Sequence, residues 1–265
     1  MSAKVEVRQF QEVVERAQAE RARMAAVADR PYLARQTAVV EQARPSRMFS
    51  LVQRVGMRGV YPRRKQPLLG KSYVAGLAVS GPQTESNSYS LFPGERRELL
   101  TLTIAEVDAG APRPSMRVVH HVQWSGKLED TRLSTLVKVH LEPWRLSRIV
   151  AGMPSLASAA EHIERDSAPG DGRIEVTGLY GRLRAELCAR LLNAIDAGLV
   201  KVYAQDGSRE ATDFWAQVVR AQMRVRQDGS LDFTADSASG EEGYLLSLAL
   251  TLEAARGLYL AAISA

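Results

Sequence analysis

The sequence has only one cysteine, Cys188, among its 265 residues. A single thiol excludes an internal disulfide and any cysteine-rich zinc site, and it is typical of proteins of the reducing cytoplasm. Leu187, Leu191 and Leu192 lie around it in the chain. We therefore expect Cys188 to be a buried helix residue in a cytoplasmic protein.

Uninterrupted apolar runs and nucleotide-binding loops are also missing. The apolar C-terminal stretch 244–263 contains Glu253 and Arg256, so we expect neither a membrane-spanning helix nor a membrane partner. The N-terminus is charged and lacks the apolar segment of a signal peptide. Gly70-Lys71-Ser72 matches the end of a phosphate-binding loop, but Lys65 stands where its first glycine should be. We therefore expect no nucleotide site and no ATPase.

Acidic residues are scarce in the first quarter of the chain. Residues 1–71 contain fifteen Lys or Arg and six Asp or Glu, and the stretch 44–71 has eight basic residues and no acid. A basic stretch of this kind can neutralise phosphates and release counterions, which predicts nucleic acid as a partner and Arg63, Arg64 and Lys65 as contacts. The alternative is a solvated basic linker.

Hydrophobic periodicity divides the chain into an N-terminal part, 1–71, and a globular domain, 72–265. The first part contains an amphipathic helix over 4–29 and a basic connector over 31–71 that is broken by prolines and glycines. In the domain, three consecutive strands are followed by alternating strands and helices. We expect strands at 73–80, 98–107, 116–124, 147–151, 173–178, 200–204 and 231–235, and helices at 129–144, 156–164, 183–197, 210–225 and from 244 onward. This order predicts an α/β, ribonuclease H-like mixed sheet with helices on both faces.

Several short motifs occur in a fixed order between residues 73 and 258. They are Y-V-A-G-L-A-V-S-G at 73–81, R-V-V-H-H-V-Q-W-S-G at 117–126, A-I-D-A-G-L-V-K-V-Y at 194–203, F-W-A-Q at 214–217 and E-E-G-Y-L-L-S-L-A-L at 241–250. In wording and order they resemble the C-terminal nuclease domain of phage terminase large subunits, the DNA-packaging motors. The resemblance implies the ribonuclease H-like fold and double-stranded DNA as the substrate class.

The resemblance also implies two divalent metals, held by acids from the first strand, a central strand and the final helix. Such metals orient water and stabilise the charge that develops on the attacked phosphate. At those three positions this sequence has Ala78, Gly152 and Gly243. Glu242, with Glu241 beside it, is the surviving candidate catalytic residue and metal ligand. The basic residue of the family before a central helix corresponds to Arg184, and with Arg182 nearby it is expected to contact DNA.

Three interpretations follow. The first is a degenerate terminase-type nuclease domain that retains its fold and binds DNA or a packaging-motor or other protein partner, without cofactors and without enzyme activity. The second is an active endodeoxyribonuclease with rearranged carboxylates, dependent on Mg²⁺ or Mn²⁺. The third is a structural or interaction protein that pairs through its N-terminal helix. We favour the first, because the acids are replaced at three positions together.

Overall fold

The computed structural model describes residues 46–80, 98–108, 115–126, 135, 139–153, 173–179, 181–225, 231–235 and 242–264. The helices expected at 4–29 and 156–164 lie outside these residues.

The main sheet has six strands in mixed orientation. In chain order they are β2 (Ser72–Ser80), β3 (Glu98–Asp108), β4 (Ser115–Gly126), β5 (Arg148–Met153), β6 (Arg173–Gly178) and β7 (Val200–Val202). Strand β1 (Ser46–Arg47) belongs to a second, smaller sheet. Their spatial order is β6-β5-β2-β3-β4-β7. Strands β2, β3 and β4 form an antiparallel meander, while β5 adds parallel to β2, β6 to β5 and β7 to β4. The expected mixed sheet is confirmed.

The remaining elements of the described residues include four α-helices, a short 3-10 helix at Glu142–Trp144 and a small second sheet. The helices are α1 (Leu51–Gly56), α2 (Gly181–Asp196), α3 (Arg209–Arg220) and α4 (Gly243–Ser264), and the second sheet consists of β1 (Ser46–Arg47), β8 (Ala221–Val225) and β9 (Leu231–Ala235). No helix in this part of the chain combines the length and apolarity that a bilayer crossing needs.

The helix expected over 210–225 is too long. Helix α3 ends at Arg220, and Ala221 already has extended backbone angles, φ −55° and ψ 127°. Residues 221–225 instead pair with β9 on one side and with β1 on the other. Pairing with distant strands thus overrides a local helical pattern.

Strand β2 separates two cores, because successive side chains of a strand point to opposite faces of the sheet. Val74 and Ala78 belong to the core that includes α2, α3 and α4. Tyr73, Ala75 and Leu77 belong to the core on the other face, which also contains Trp144. Cys188 lies fully buried in the first core, as expected.

Helix α4 lies directly on the backbone of β2 at Gly76. A methyl group built at Gly76 would come within 2.2 Å of the Ser247 carbonyl oxygen and 2.4 Å of the Thr251 nitrogen. The hydroxyl of Thr251 donates to the Thr103 carbonyl oxygen at 3.2 Å, which ties the same helix to β3. Gly76 therefore sets how closely the helix approaches the sheet.

The part of the basic connector that the structure describes, residues 46–71, packs on the domain. The Gly59 amide donates to the Val202 carbonyl oxygen at 2.6 Å, and the Val202 amide donates to the Met57 carbonyl oxygen at 2.7 Å, so the connector extends the sheet beyond β7. The Arg64 amide donates to the Val119 carbonyl oxygen at 2.8 Å. The described connector residues thus belong to the compact unit that spans 45–265, and the domain boundary expected at 71/72 stays a prediction.

We expect Gly76→Ala to lower the free energy of unfolding by about 1–3 kcal/mol, because the added methyl must push α4 away from the sheet. Urea denaturation measures this loss. Gly56→Ala is the matched control: no atom lies within 4 Å of the added methyl, so stability should stay the same or rise by up to about 1 kcal/mol. Equal effects of the two substitutions would contradict the close contact.

Candidate functional site

The positions that the resemblance assigns to metal-binding acids meet on the α4 face of the sheet. Ala78 on β2 pairs with Gly152 on β5 and, on its other side, with Thr101 on β3. Residues directly opposite each other in neighbouring strands share a face. The structure therefore brings residues 78, 101 and 152 side by side.

Apolar side chains fill the space beside these positions. Ala78 is fully buried, and a methyl group built at Gly152 would come within 2.7 Å of Leu179. Leu179 is itself buried and belongs to the same core as Ala78. This end of the sheet is packed where a metal centre would need charged oxygens.

Helix α4 begins against one of these positions, Thr101. A methyl group built at Gly243 would lie 2.1 Å from the Thr101 hydroxyl oxygen, so the first turn of the helix touches β3. The Gln123 amide donates to that hydroxyl at 3.0 Å. The Tyr244 backbone amide donates to the Gln217 side-chain oxygen at 3.0 Å. The resemblance to terminase nucleases implies an acid at this contact, but here a glycine and neutral oxygens form it.

Glu242 lies just before α4 and is held by a buried guanidinium. Arg184 on α2 is 5% exposed. It donates to Glu242, to the Asp232 carboxylate at 2.7 Å and to the Phe233 carbonyl oxygen at 2.9 Å. The guanidinium also lies over the Phe233 ring, 5.2 Å from its centroid. We call Arg184, Asp232 and Glu242 the arginine clamp.

The arginine clamp satisfies the charge of Glu242 internally. Burial opposes the charged form of Arg184, but the two neighbouring carboxylates outweigh it and raise the pKa of Arg184 above its ordinary value. A permanently charged guanidinium therefore occupies the position next to Glu242 where a cation would bind. The same placement commits the Arg184 guanidinium to partners within the domain, and the DNA contact expected for it stays a prediction.

Two further basic residues expected to contact DNA are committed to ion pairs within the domain. Arg63 pairs with Glu210 at 3.1 Å and donates to the His121 carbonyl oxygen at 2.6 Å. Arg64 pairs with Glu106, a carboxylate that is 3% exposed. Lys71 and Arg117 also face Glu106, at 3.9 and 3.8 Å. These ion pairs anchor the connector to the domain and neutralise the charge of Glu106.

Lys65 and Arg182 differ from the other expected contacts because both are exposed. The Arg182 side chain is 92% exposed, and its partner is Glu186 on the same helix, at 3.1 Å. A surface ion pair of this kind contributes little to stability. Both cations are thus accessible to a phosphate backbone.

The adjacent histidines of β4 lie on opposite faces of the sheet, His120 beside Trp144 and His121 beside Phe214. His121 is fully buried, and its Nδ1 is 2.9 Å from the Thr103 hydroxyl. Burial holds the pKa of His121 well below its usual range. Burial, and then the charge of Arg63, lowers the pKa of His120 to about 4. Both rings are therefore neutral at physiological pH.

The residues that complete the site include some that sequence reasoning missed. Asp232 and Leu179 carry no local signal, because their roles arise from contacts with distant elements. Gln217 does carry one, because it is the last residue of the F-W-A-Q motif, but the motif does not indicate its contact with the Tyr244 amide of α4. In the described ranges, no three His, Cys, Asp or Glu side chains form a group that could hold a metal ion.

No family profile matches this sequence, and no curated protein is similar to it in sequence. Solved structures nevertheless share its fold. The large terminase nuclease from thermophilic phage G20c has a TM-score of 0.56 at 14% identity, covering 78% of this chain and 98% of that one. The Thermus phage P74-26 large terminase nuclease domain has a TM-score of 0.52 at 14% identity, with 75% and 93% covered. The HK97 bacteriophage large terminase has a TM-score of 0.51 at 10% identity, covering 78% of this chain and 43% of that one.

At these identities the likeness shows the fold alone. The chain has a ribonuclease H-like nuclease fold, similar to that of phage large terminase nuclease domains. The fold expected from the sequence motifs is confirmed.

We expect Arg184→Met to lower the free energy of unfolding by about 3–5 kcal/mol, since it leaves Asp232 and Glu242 without their buried counter-charge. The control is Arg190→Met. Arg190 makes ion pairs with Glu253 at 2.7 Å and Glu186 at 3.0 Å but is 28% exposed, so its loss should cost about 1 kcal/mol or less. Thermal and urea denaturation compare the two. Similar losses would show that the arginine clamp is no stronger than a surface network.

Proposed function

We propose that this protein is a terminase-nuclease-like domain that does not hydrolyse DNA by the two-metal mechanism and acts by binding. The observation that carries the proposal is the direct pairing of Ala78 with Gly152, with Leu179 filling the space beside Gly152. Neither residue has an oxygen in its side chain that could ligate a cation.

The available donors do not fit a two-metal centre. Structures of the G20c terminase nuclease exist with bound magnesium and with bound cobalt, and hard divalent cations of the magnesium type are held by several charged oxygens. Among the described residues, the polar side chains next to this pair are neutral: Thr101 pairs with Ala78, and Gln123 donates to the Thr101 hydroxyl. The carboxylate of Glu242 is engaged by Arg184. No hydrolytic step through a metal is therefore assigned to these residues.

The nuclease test uses supercoiled plasmid with Mg²⁺ or Mn²⁺. We expect the unmodified protein and Glu242→Ala to leave the plasmid equally intact, because neither assembles a metal centre. A variant that combines Ala78→Asp, Gly152→Asp and Leu179→Ala restores two acids and makes room for them. Its melting temperature should rise with Mn²⁺, since a ligand that binds the folded state stabilises it.

Leu179→Ala alone is the control for the combined variant and should show no Mn²⁺-dependent rise. Cleavage by the unmodified protein that disappears in Glu242→Ala would overturn the proposal. It would establish the alternative expected from the sequence, an active Mg²⁺- or Mn²⁺-dependent endonuclease with rearranged carboxylates.

Binding of double-stranded DNA is the second element of the proposal. It is supported by the exposed cations Lys65 and Arg182 and by the excess of basic residues in the first 71 positions. A packaging motor as protein partner, and a cytoplasmic location, remain predictions from the sequence. Pairing through the N-terminal helix concerns residues outside the described part of the chain.

We expect the double variant Lys65→Glu/Arg182→Glu to weaken duplex DNA binding and to reduce its salt dependence, because two phosphate contacts are lost. Fluorescence anisotropy at several salt concentrations measures both effects. The control is Arg209→Glu, which reverses the charge of a side chain that is 90% exposed on α3 and should leave affinity nearly unchanged. An equal loss in the control would mean that the effect is one of net charge alone.

A further inference from the structure

A groove of about 460 Å³ lies between α1 and α3, away from the packed end of the sheet. Its apolar lining includes Leu51, Val55 and Val219, which are 68%, 58% and 46% exposed. Trp215 forms part of the same surface and is almost completely buried. Large apolar side chains that are exposed together on a small surface are typical of an interaction site.

Both walls of the groove are anchored to the domain. Ser50 and Gln53 form a capping box at the start of α1, and the Gln53 amide donates to the Asp196 carboxylate of α2 at 2.6 Å. Helix α3 buries a separate stripe of side chains, which includes Phe214 and Val218. The walls are thus held in place by contacts that do not involve the groove surface, and a rigid groove binds with a smaller entropy loss.

The polar lining of the groove is basic. Arg54, Arg58 and Arg220 line it together with the neutral polar residues Gln205 and Thr212, and no acid does. Within the described residues, none of the three arginines makes an ion pair. The guanidinium of Arg58 lies over the Trp215 ring, 5.4 Å from its centroid. These cations differ from Arg63, Arg64 and Arg184, whose charges are neutralised inside the domain.

We propose that this groove binds an acidic amphipathic helix of another protein. Apolar side chains spaced at i, i+3 or i+4 and i+7 would enter between α1 and α3, which is how helices bind grooves of this kind. Carboxylates beside them would pair with Arg54, Arg58 and Arg220. This interaction surface is independent of nuclease chemistry and of the DNA contacts proposed for Lys65 and Arg182.

Two other occupants fit the groove less well. A nucleic acid backbone would pair with the arginines but would gain nothing from Leu51, Val55 and Val219, because its phosphates remain hydrated. A second copy of the chain, related by a two-fold axis through the groove, would place the arginines of one copy against those of the other. Like charges that face each other across an interface weaken the binding free energy by roughly several kcal/mol.

The probe for the test is a fluorescein-labelled peptide of roughly 18 residues, or about five helical turns. Leucine occupies one face at helical spacing and glutamate the remaining positions. A matched peptide carries lysine in place of glutamate. Fluorescence anisotropy with the full chain should show binding of the glutamate peptide, at least about tenfold tighter than that of the lysine peptide.

The variants Val55→Glu and Arg58→Glu should each lower the affinity for the glutamate peptide at least about tenfold. The matched controls are Leu69→Glu, at a fully exposed leucine outside the groove, and Arg256→Glu, at an exposed arginine of α4. Both controls should retain the affinity of the unmodified protein. Thermal denaturation of all four verifies that each variant folds.

Three results would overturn the proposal. The first is no binding of the glutamate peptide, or binding of both peptides with equal affinity. The second is displacement of the peptide by a duplex oligonucleotide whose own affinity falls in Arg58→Glu, which would make the groove a nucleic-acid site. The third is a protein mass in solution that falls from that of a dimer to that of a monomer in Val55→Glu. That result would show that the groove is a contact between copies of the chain.

Discussion

Helix α4 rests on the backbone of β2, where Gly76 leaves no side chain between the two elements. Any larger residue at this position would separate the helix from the sheet, and the hydrogen bond from Thr251 to the Thr103 carbonyl oxygen would lengthen with it. The close approach also fixes where α4 begins. Its first residue, Gly243, touches Thr101, and Glu242 is thereby directed to Arg184.

The residues at the end of the sheet that contains Ala78 and Gly152 pack closely against one another. Ala78 is small and buried, Gly152 leaves room for Leu179, and Gly243 leaves room for the Thr101 hydroxyl. A carboxylate placed singly among these contacts would lose its hydration without a compensating partner, which is costly. Small and apolar residues at the three positions that the resemblance assigns to acids are therefore physically consistent with one another. One substitution makes the others easier to accommodate, and the result resembles a core more than a cleft.

Internal ion pairing changes what the basic character of the chain means. Arg64 neutralises the buried Glu106, Arg63 pairs with Glu210, and Arg184 holds Asp232 and Glu242. These charges attach the connector and order the start of α4, so they contribute little to an external field. Accessible basic residues of the described ranges include Lys65 and Arg182, and the arginines around the groove between α1 and α3. DNA binding and partner binding are thus assigned to different surfaces.

The strands of the main sheet could be predicted from the sequence, because a short apolar run such as Tyr73–Val79, bounded by polar and turn residues, is typical of a buried strand. Ordered motifs also located Ala78, Gly152 and Gly243 as the positions where acids are missing. Only the tertiary structure decided what surrounds them. Arg184 meets Asp232 and Glu242 across 48 and 58 residues, and β8 forms where local periodicity favours a helix. Local patterns cannot encode such contacts, because they depend on which distant segments the folded sheet brings together.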